Sequence, residues 1–202
     1  NKHYGNIESI VKNGKEQLAE GVKLSVWRAP TDNDRRIEDR WGHKDVEHGE
    51  NMDRITQKVY SCSVEDNKIT VKGSVAGMSR MPLLHFTAEY GFFKDGEIKV
   101  SFKANVREDL DIFLPRLGFE FTGAKKNDSF KYFGMGEREN YRDMCHHAKV
   151  GLYESCAERE YVPYVMPQEH GNHTGAKYLE MGSGITFATD SEFEFNVSEY
   201  TK

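Results

Sequence analysis

Apolar and polar residues alternate with a period of two along most of the chain. Ile98, Val100, Phe102, Ala104 and Val106 are separated by polar or charged residues. The same rhythm runs through Leu84, Phe86, Ala88 and Tyr90, through Leu117, Phe119 and Phe121, and through Phe193, Phe195 and Val197. Ile69, Val71 and Val75 extend it, with Gly73 as a candidate bulge. Successive side chains of a strand point to opposite faces of its sheet, so each run predicts a strand with one buried face. Turn chemistry falls where hairpins need it: Asp66-Asn67, Lys94-Asp95-Gly96 and Gly182-Ser183-Gly184. One helix is predicted, over residues 37–48, with Ile37, Trp41 and Val46 as a narrow apolar stripe among dense charge. Ten or more strands and almost no helix predict an all-β chain, a single large antiparallel β-sandwich domain over residues 1–202.

Between Tyr132 and Thr174 the alternation fades, and aromatics mix with Gly, Pro, His and charge. Long, polar, aromatic-rich loops on a rigid sandwich are where binding work concentrates. The overall balance is mild: 202 residues carry 28 Lys+Arg against 33 Asp+Glu, a formal net charge of −5. That argues against a dedicated nucleic-acid binder, which presents a basic face. No apolar run approaches the roughly 20 residues of a membrane-spanning helix. Three cysteines, Cys62, Cys145 and Cys156, form no metal-ligand spacing and read as free thiols. The first residue is Asn1 rather than methionine, which predicts a segment of a longer polypeptide.

Candidate chemistry begins with carboxylates in the loops: Asp32-Asn33-Asp34, Glu137, Glu139, Asp143 and Glu169. A glycosidase needs two carboxyl groups about 5 Å apart to retain configuration, or roughly 6.5–9.5 Å apart to invert it. Surface carboxylates far outnumber such pairs, so no catalytic residue is assigned within this chain. His146, His147, His170 and His173 lack a Cys or Asp completing a ligand set, so no metal site is expected. Gly134-Met135-Gly136 lacks a third glycine and a following helix, and reads as the end of a strand rather than a phosphate cradle. No G-x-S-x-G elbow is present, and Cys145 beside His146 does not make a dyad by adjacency. The Asp32-Asn33-Asp34 cluster reads as a turn into the helix with Arg28 held by one of the acids, or as a polar knot facing another domain or a sugar.

Three segments are recognisable. Val26-Trp27-Arg28-Ala29-Pro30-Thr31-Asp32-Asn33-Asp34 resembles the W-R-A-P-T-D-N-D signature of large bacterial β-galactosidases, glycoside hydrolase family 2. The run from Phe133 to Asp143 (FGMGERENYRD) is similar to the family's G-x-G-P-x-E-N-Y-x-D-R. The run from Tyr161 to Thr174 (YVPYVMPQEHGNHT) is similar to its Y-V-P-Y-x-x-P-Q-E-N-G-N-R-T. The stretches Gly5–Val22 and Phe193–Thr201 also fit, so the resemblance covers essentially the whole chain. Glu137 stands where the family has proline, Met144 where it has arginine, and His170 and His173 where it has asparagine and arginine.

The resemblance implies the C-terminal, small-chain domain of such an enzyme, a galactose-mutarotase-like supersandwich, here without its closing strands. It implies a scaffold that closes one side of the active-site cleft of a retaining enzyme hydrolysing terminal β-D-galactose from galactosides such as lactose. The catalytic glutamates and the Mg and Na of full-length relatives would lie in regions outside this chain, leaving the piece inactive alone. Cleft or domain-interface candidates are Arg28, Asp32, Asn33, Asp34, Glu139, Asn140, Tyr141, Asp143, Gln168, Glu169 and Asn172, with the acidic turn and the two later loops expected on one rim. Implied partners are the other domains of the same chain, or a large subunit where the enzyme is split, and a galactoside. No nucleic acid or membrane is implied, and the parent is expected to be a homo-oligomer in the cytoplasm, with the periplasm the other compartment considered. The alternatives are a free-standing carbohydrate-binding module of the same fold and a mutarotase-like epimerase using Glu169 with His170 or His173.

Overall fold

Hairpin turns and alternating strands account for nearly everything in the computed structural model, which describes residues 1–124 and 128–200. Thr201, the last residue of the closing stretch singled out above, lies outside the described residues. Strand and bridge residues make up 47% of the described residues and helical residues 6%. The strands are β1 (Val11–Lys12), β2 (Lys15–Glu16), β3 (Lys23–Ser25), β4 (Ile55–Glu65), β5 (Lys68–Gly77) and β6 (Pro82–Phe92). They continue with β7 (Ile98–Val106), β8 (Gly118–Glu120), β9 (Ser129–Gly136), β10 (Lys149–Cys156), β11 (Asn172–Met181) and β12 (Thr186–Asn196). All strand pairs among the described residues are antiparallel.

The chain divides into two compact units. The first gathers Asn1–Ser9, Glu20–Arg28 and Asp32–Phe121. Its main sheet is a meander in the order β4-β5-β6-β7, and a second sheet pairs β3 with β8. The two layers meet over one core, in which Leu24 and Phe119 pack against the cluster containing Val71, Val75, Leu84 and Phe86. Phe102 stacks on Phe86 at 5.6 Å and meets Phe119 edge-on at 5.4 Å, joining the layers. The two predicted turns of this unit are present: Glu65 pairs with Lys68 across Asp66-Asn67, and Phe93 N–H donates to Glu97 (3.0 Å) around Lys94-Asp95-Gly96. Alternation was a weaker guide at the edges, where Val100 and Val106 of β7 and Leu117 and Phe121 around β8 are exposed.

Gly73 is linked to a bulge on the neighbouring strand. The register of β4 against β5 shifts between Val59 and Ser61, directly opposite Gly73. A Cβ at Gly73 would lie 2.4 Å from the Lys58 carbonyl oxygen and 2.8 Å from the Phe86 ring. The glycine therefore lets three strands close up where the bulge tightens the twist.

The helix is shorter than the pattern predicts. The α-helix α1 covers only Glu38–Trp41, because Gly42 takes an extended conformation and ends it. Residues 43–48 run on as turns and bends, drawn in at Gly49, where a Cβ would sit 2.3 Å from the Gly42 carbonyl oxygen. Trp41 is buried and Ile37 packs against the core, but Val46 points to solvent. The stripe ends where the helix does.

The second unit gathers Ile10–Ala19, Ala29–Thr31 and the described residues from Thr122 on. Its sheet has the order β10-β9-β11-β12, and β1 and β2 form a small hairpin through Asn13-Gly14, both at positive φ. Phe130, Tyr132, Ala176, Leu179 and Phe195 form its core. The third predicted turn closes β11 to β12, with Met181 N–H donating to Ile185 (2.8 Å) around Gly182-Ser183-Gly184. Gly134 and Gly136 are close-approach positions: a Cβ at Gly136 would lie 2.2 Å from the Tyr132 hydroxyl.

Candidate functional site

In the second unit, strand order decides which loops meet. β10 and β11 lie on opposite sides of β9, although they follow one another in sequence. Tyr178 faces Phe133 and Leu179 faces Tyr132 in the β9–β11 register. Continued past the end of β9, that register carries Asn172 to the residues just beyond Gly136. There the Asn140 N–H donates to the Asn172 carbonyl (2.7 Å), and the Asn172 side-chain amide donates back to the Asn140 carbonyl (3.0 Å).

Asn140 is the hub of this junction and is fully buried. Its side-chain NH₂ donates to the carbonyls of Met135 (2.9 Å) and Arg138 (3.1 Å). Its side-chain oxygen accepts the backbone N–H (2.9 Å) and the hydroxyl (2.6 Å) of Thr174. Two donors and two acceptor sites are all in use, so the amide meets the requirement that buried polar groups be paired.

Glu139 ties the two loops together from the other side. One carboxylate oxygen accepts the Tyr164 hydroxyl, and the other accepts the Gly171 N–H (2.7 Å). His147, through Nε2, donates to the Glu139 backbone carbonyl (2.9 Å). Burial and the neighbouring Glu139 carboxylate push the Tyr164 phenol up to about 12, with Gln168 opposing the shift. Burial also raises the Tyr141 phenol, assisted by the charges of Glu139 and Glu169. Both phenols are therefore neutral at physiological pH, and Tyr164 donates to Glu139. Glu169 is completely buried, Gln168 half-buried and Asp143 exposed.

Beneath the loops a second polar chain crosses the sheet. The Ser155 hydroxyl donates to one Glu160 oxygen (2.5 Å), and the other pairs with His173 Nε2 (2.8 Å). His173 Nδ1 in turn meets the Tyr132 hydroxyl (3.0 Å), while the imidazole stacks on Phe195 at 5.1 Å. Beside these loops a hollow of about 400 Å³ is lined in part by Glu158, Tyr161, His170, Ser198 and Glu199.

In the first unit the acidic turn resolves into a structural clamp with an exposed edge. Asp32–Asp34 is one 3₁₀ turn. Arg28 grips the buried Asp34 with both terminal nitrogens, Nη1 to Oδ2 at 2.6 Å and Nη2 to Oδ1 at 3.2 Å. Its Nε donates to the Pro115 carbonyl (3.2 Å), and its guanidinium lies 5.5 Å from the centre of the Trp41 ring. Asp34 is thus the acid that holds Arg28. Asp32 and Asn33 face solvent, and Asp32 pairs with the exposed Arg35 at 2.7 Å.

The structure brings Glu139, Asn140 and Asn172 into one hydrogen-bonded group, and Arg28 and Asp34 into another. Sequence reasoning missed Thr174, Tyr164, Gly171 and Glu194 as members of the first group. Glu194 of β12 accepts from Arg142 (2.9 Å) and from the Asn172 side-chain amide (3.4 Å). Tyr164 and Gly171 fall inside the recognised motif and were legible there, whereas Glu194 carried no local signal. Among the described residues no group of three or more His, Cys, Asp and Glu could hold a metal ion, so these residues do not fit one. No helix among them is long and apolar enough to cross a membrane. Cys62, Cys145 and Cys156 are free, half-buried thiols.

Comparison with known proteins gives a consistent picture. The family described as "Beta galactosidase small chain" matches residues 1–202. A β-galactosidase of Actinobacillus pleuropneumoniae is 34% identical over 201 residues, covering 100% of this chain and 20% of that protein. One from Kluyveromyces lactis is 31% identical over 214 residues, covering 98% of this chain and 20% of that protein. One from Streptococcus thermophilus is 30% identical over 196 residues, covering 94% of this chain and 19% of that protein. The chain thus spans about a fifth of the length of these relatives.

Proposed function

The chain belongs to the β-galactosidase small-chain family, and on that premise we propose that it forms a non-catalytic wall of the substrate cleft in a longer β-galactosidase. The catalysing carboxyls of a retaining hydrolase, one attacking the anomeric carbon and one protonating the leaving oxygen, belong to the remaining four-fifths of such a protein, together with its Mg and Na. This chain contributes shape and hydrogen-bonding groups. The acidic turn offers Asp32 and Asn33 beside the Arg28–Asp34 clamp. The later loops offer Tyr141, Asp143 and Gln168, held by Asn140, Asn172 and Glu139, with Glu169 buried among them. The partners are the other domains of the same polypeptide, or a separate large subunit, and a β-galactoside; the parent assembles as a homo-oligomer.

The observation that carries this reading is the engagement of Glu139. Both of its carboxylate oxygens accept hydrogen bonds that pin the Tyr164 and Gly171 segments. A carboxylate so engaged is a fastener, and a general acid or nucleophile needs an oxygen turned toward substrate. The test is hydrolysis of a chromogenic β-galactoside. The purified 202-residue chain should show no turnover, and the longer polypeptide containing it should cleave with retention at the anomeric carbon, followed by NMR. Turnover by the 202-residue chain alone would overturn the proposal.

A further inference from the structure

We propose that Val165 and Met166 form an apolar plug that docks this chain into a pocket on the rest of the β-galactosidase polypeptide, an inference that rests on the functional reading above. Val165 is 98% exposed and its neighbour Met166 is 64% exposed. Single apolar side chains at a surface are ordinary. These two differ in how they are held. Pro163 and Pro167 bracket them and fix the backbone φ on either side. Tyr164, immediately before the pair, is anchored by its hydroxyl to Glu139, and its N–H donates to the Val162 carbonyl (2.9 Å). Beyond the pair, Gly171 N–H donates to the same Glu139 carboxylate (2.7 Å), and His170 Nδ1 meets the Glu160 carbonyl (3.2 Å).

A loop tip fastened on both flanks yet carrying two adjacent solvent-facing apolar residues loses little conformational entropy when it docks. Such pre-organised, exposed apolar residues match the anchor of an interface, an apolar side chain filling a pocket inside a polar rim. The occupant of the other side is the remaining β-galactosidase polypeptide. Relatives matched along this whole chain are about five times as long, since it covers 20% of them. The partner surface is an apolar pocket wide enough for a valine and a methionine.

The test is oxidation of Met166 to the sulfoxide by dilute hydrogen peroxide, read by peptide mass spectrometry with free methionine as an internal clock. In the 202-residue chain Met166 should react within about threefold of Met78 and Met81, which are similarly exposed. In the longer polypeptide, or with the remaining chain added in trans, it should react at least about tenfold more slowly. Equal rates in the two forms overturn the proposal, and so does protection in the 202-residue chain that grows with its own concentration. Val165→Asp should return Met166 of the longer protein toward the unprotected rate, while leaving the melting temperature of the 202-residue chain unchanged. Hydrolysis is measured on the same samples. Protection without hydrolysis supports the docking and removes the functional reading; hydrolysis without protection removes the docking alone.

Discussion

The side-chain oxygen of Asn140 accepts both the backbone N–H of Thr174, at 2.9 Å, and its hydroxyl, at 2.6 Å. Asn140 lies in the loop after β9 and Thr174 in β11, so this pair stitches together segments 34 residues apart. Asn140→Ala would strand the buried Thr174 donors and release the part-buried Met135 and Arg138 acceptors. Leaving buried groups unsatisfied costs about 1–3 kcal/mol each before relaxation, so a net loss of about 2–4 kcal/mol is expected. Urea unfolding checks it, and a midpoint unchanged from the parent would exclude the hub role. Thr174→Ser, which keeps both donors, should lose less than Thr174→Val.

Arg28 and Asp34 form a shielded ion pair with two hydrogen bonds. Arg28→Ala leaves a buried carboxylate without its partner and is expected to destabilise by about 3–5 kcal/mol. Arg28→Lys keeps the charge but loses the fork and the planar face toward Trp41, and should fall between the two. Thermal melts of the three proteins check the order; a tie between lysine and arginine would show that the fork contributes nothing.

Tyr164 supplies a pH dependence on the alkaline side. Its phenol has an ordinary value of 10.0 and is raised to about 12 in the folded chain. The folded state therefore holds this proton more tightly than the unfolded state does. The stability it contributes is fully present below about pH 10 and is lost as pH rises through about 12. Tyr164→Phe should flatten this component of the stability profile between pH 9 and pH 12. Stability curves for the two proteins that run parallel across this range would contradict it.

Gly73→Ala tests the bulge. The added methyl would lie 2.4 Å from the Lys58 carbonyl oxygen, a backbone atom that cannot step aside, and 2.8 Å from the Phe86 ring. Overpacking of this kind costs about 1–3 kcal/mol. At Gly118, where nothing lies within 4 Å of the added carbon, alanine should be tolerated. Equal melting temperatures for the two alanine variants would refute the close-approach role of Gly73.

Much of this architecture was written in short-range patterns. The turns at Asp66-Asn67, Lys94-Asp95-Gly96 and Gly182-Ser183-Gly184 were legible because a hairpin's backbone twist demands those residues locally. The helix was legible only as an apolar spacing, and that spacing could not report Gly42 turning extended. Glu139, Asn140 and Asn172 were visible as motif residues, but their function as a hydrogen-bonded junction was not. It depends on β11 crossing to the far side of β9, a pairing that no window of neighbouring residues encodes. Glu194 was invisible for the same reason: it joins Arg142 and Asn172 only because β12 lies beside β11. Asp34 and Asp32 look equivalent in sequence, and only burial separates the clamp from its exposed neighbour.

The strand order β10-β9-β11-β12 also sets a timetable for synthesis. A ribosome that has released the chain only as far as Gly171 has delivered β9, β10 and both loops, yet Asn140 still lacks Thr174 and Asn172. Pairings of large sequence separation form late, so the junction closes only after β11 has emerged and slotted in next to β9. Until then the Tyr164 loop can be anchored through Glu139 alone. The arrival of β11 therefore closes the loop junction and extends the sheet beyond β9 in a single event, and a nascent chain stalled before β11 would present neither.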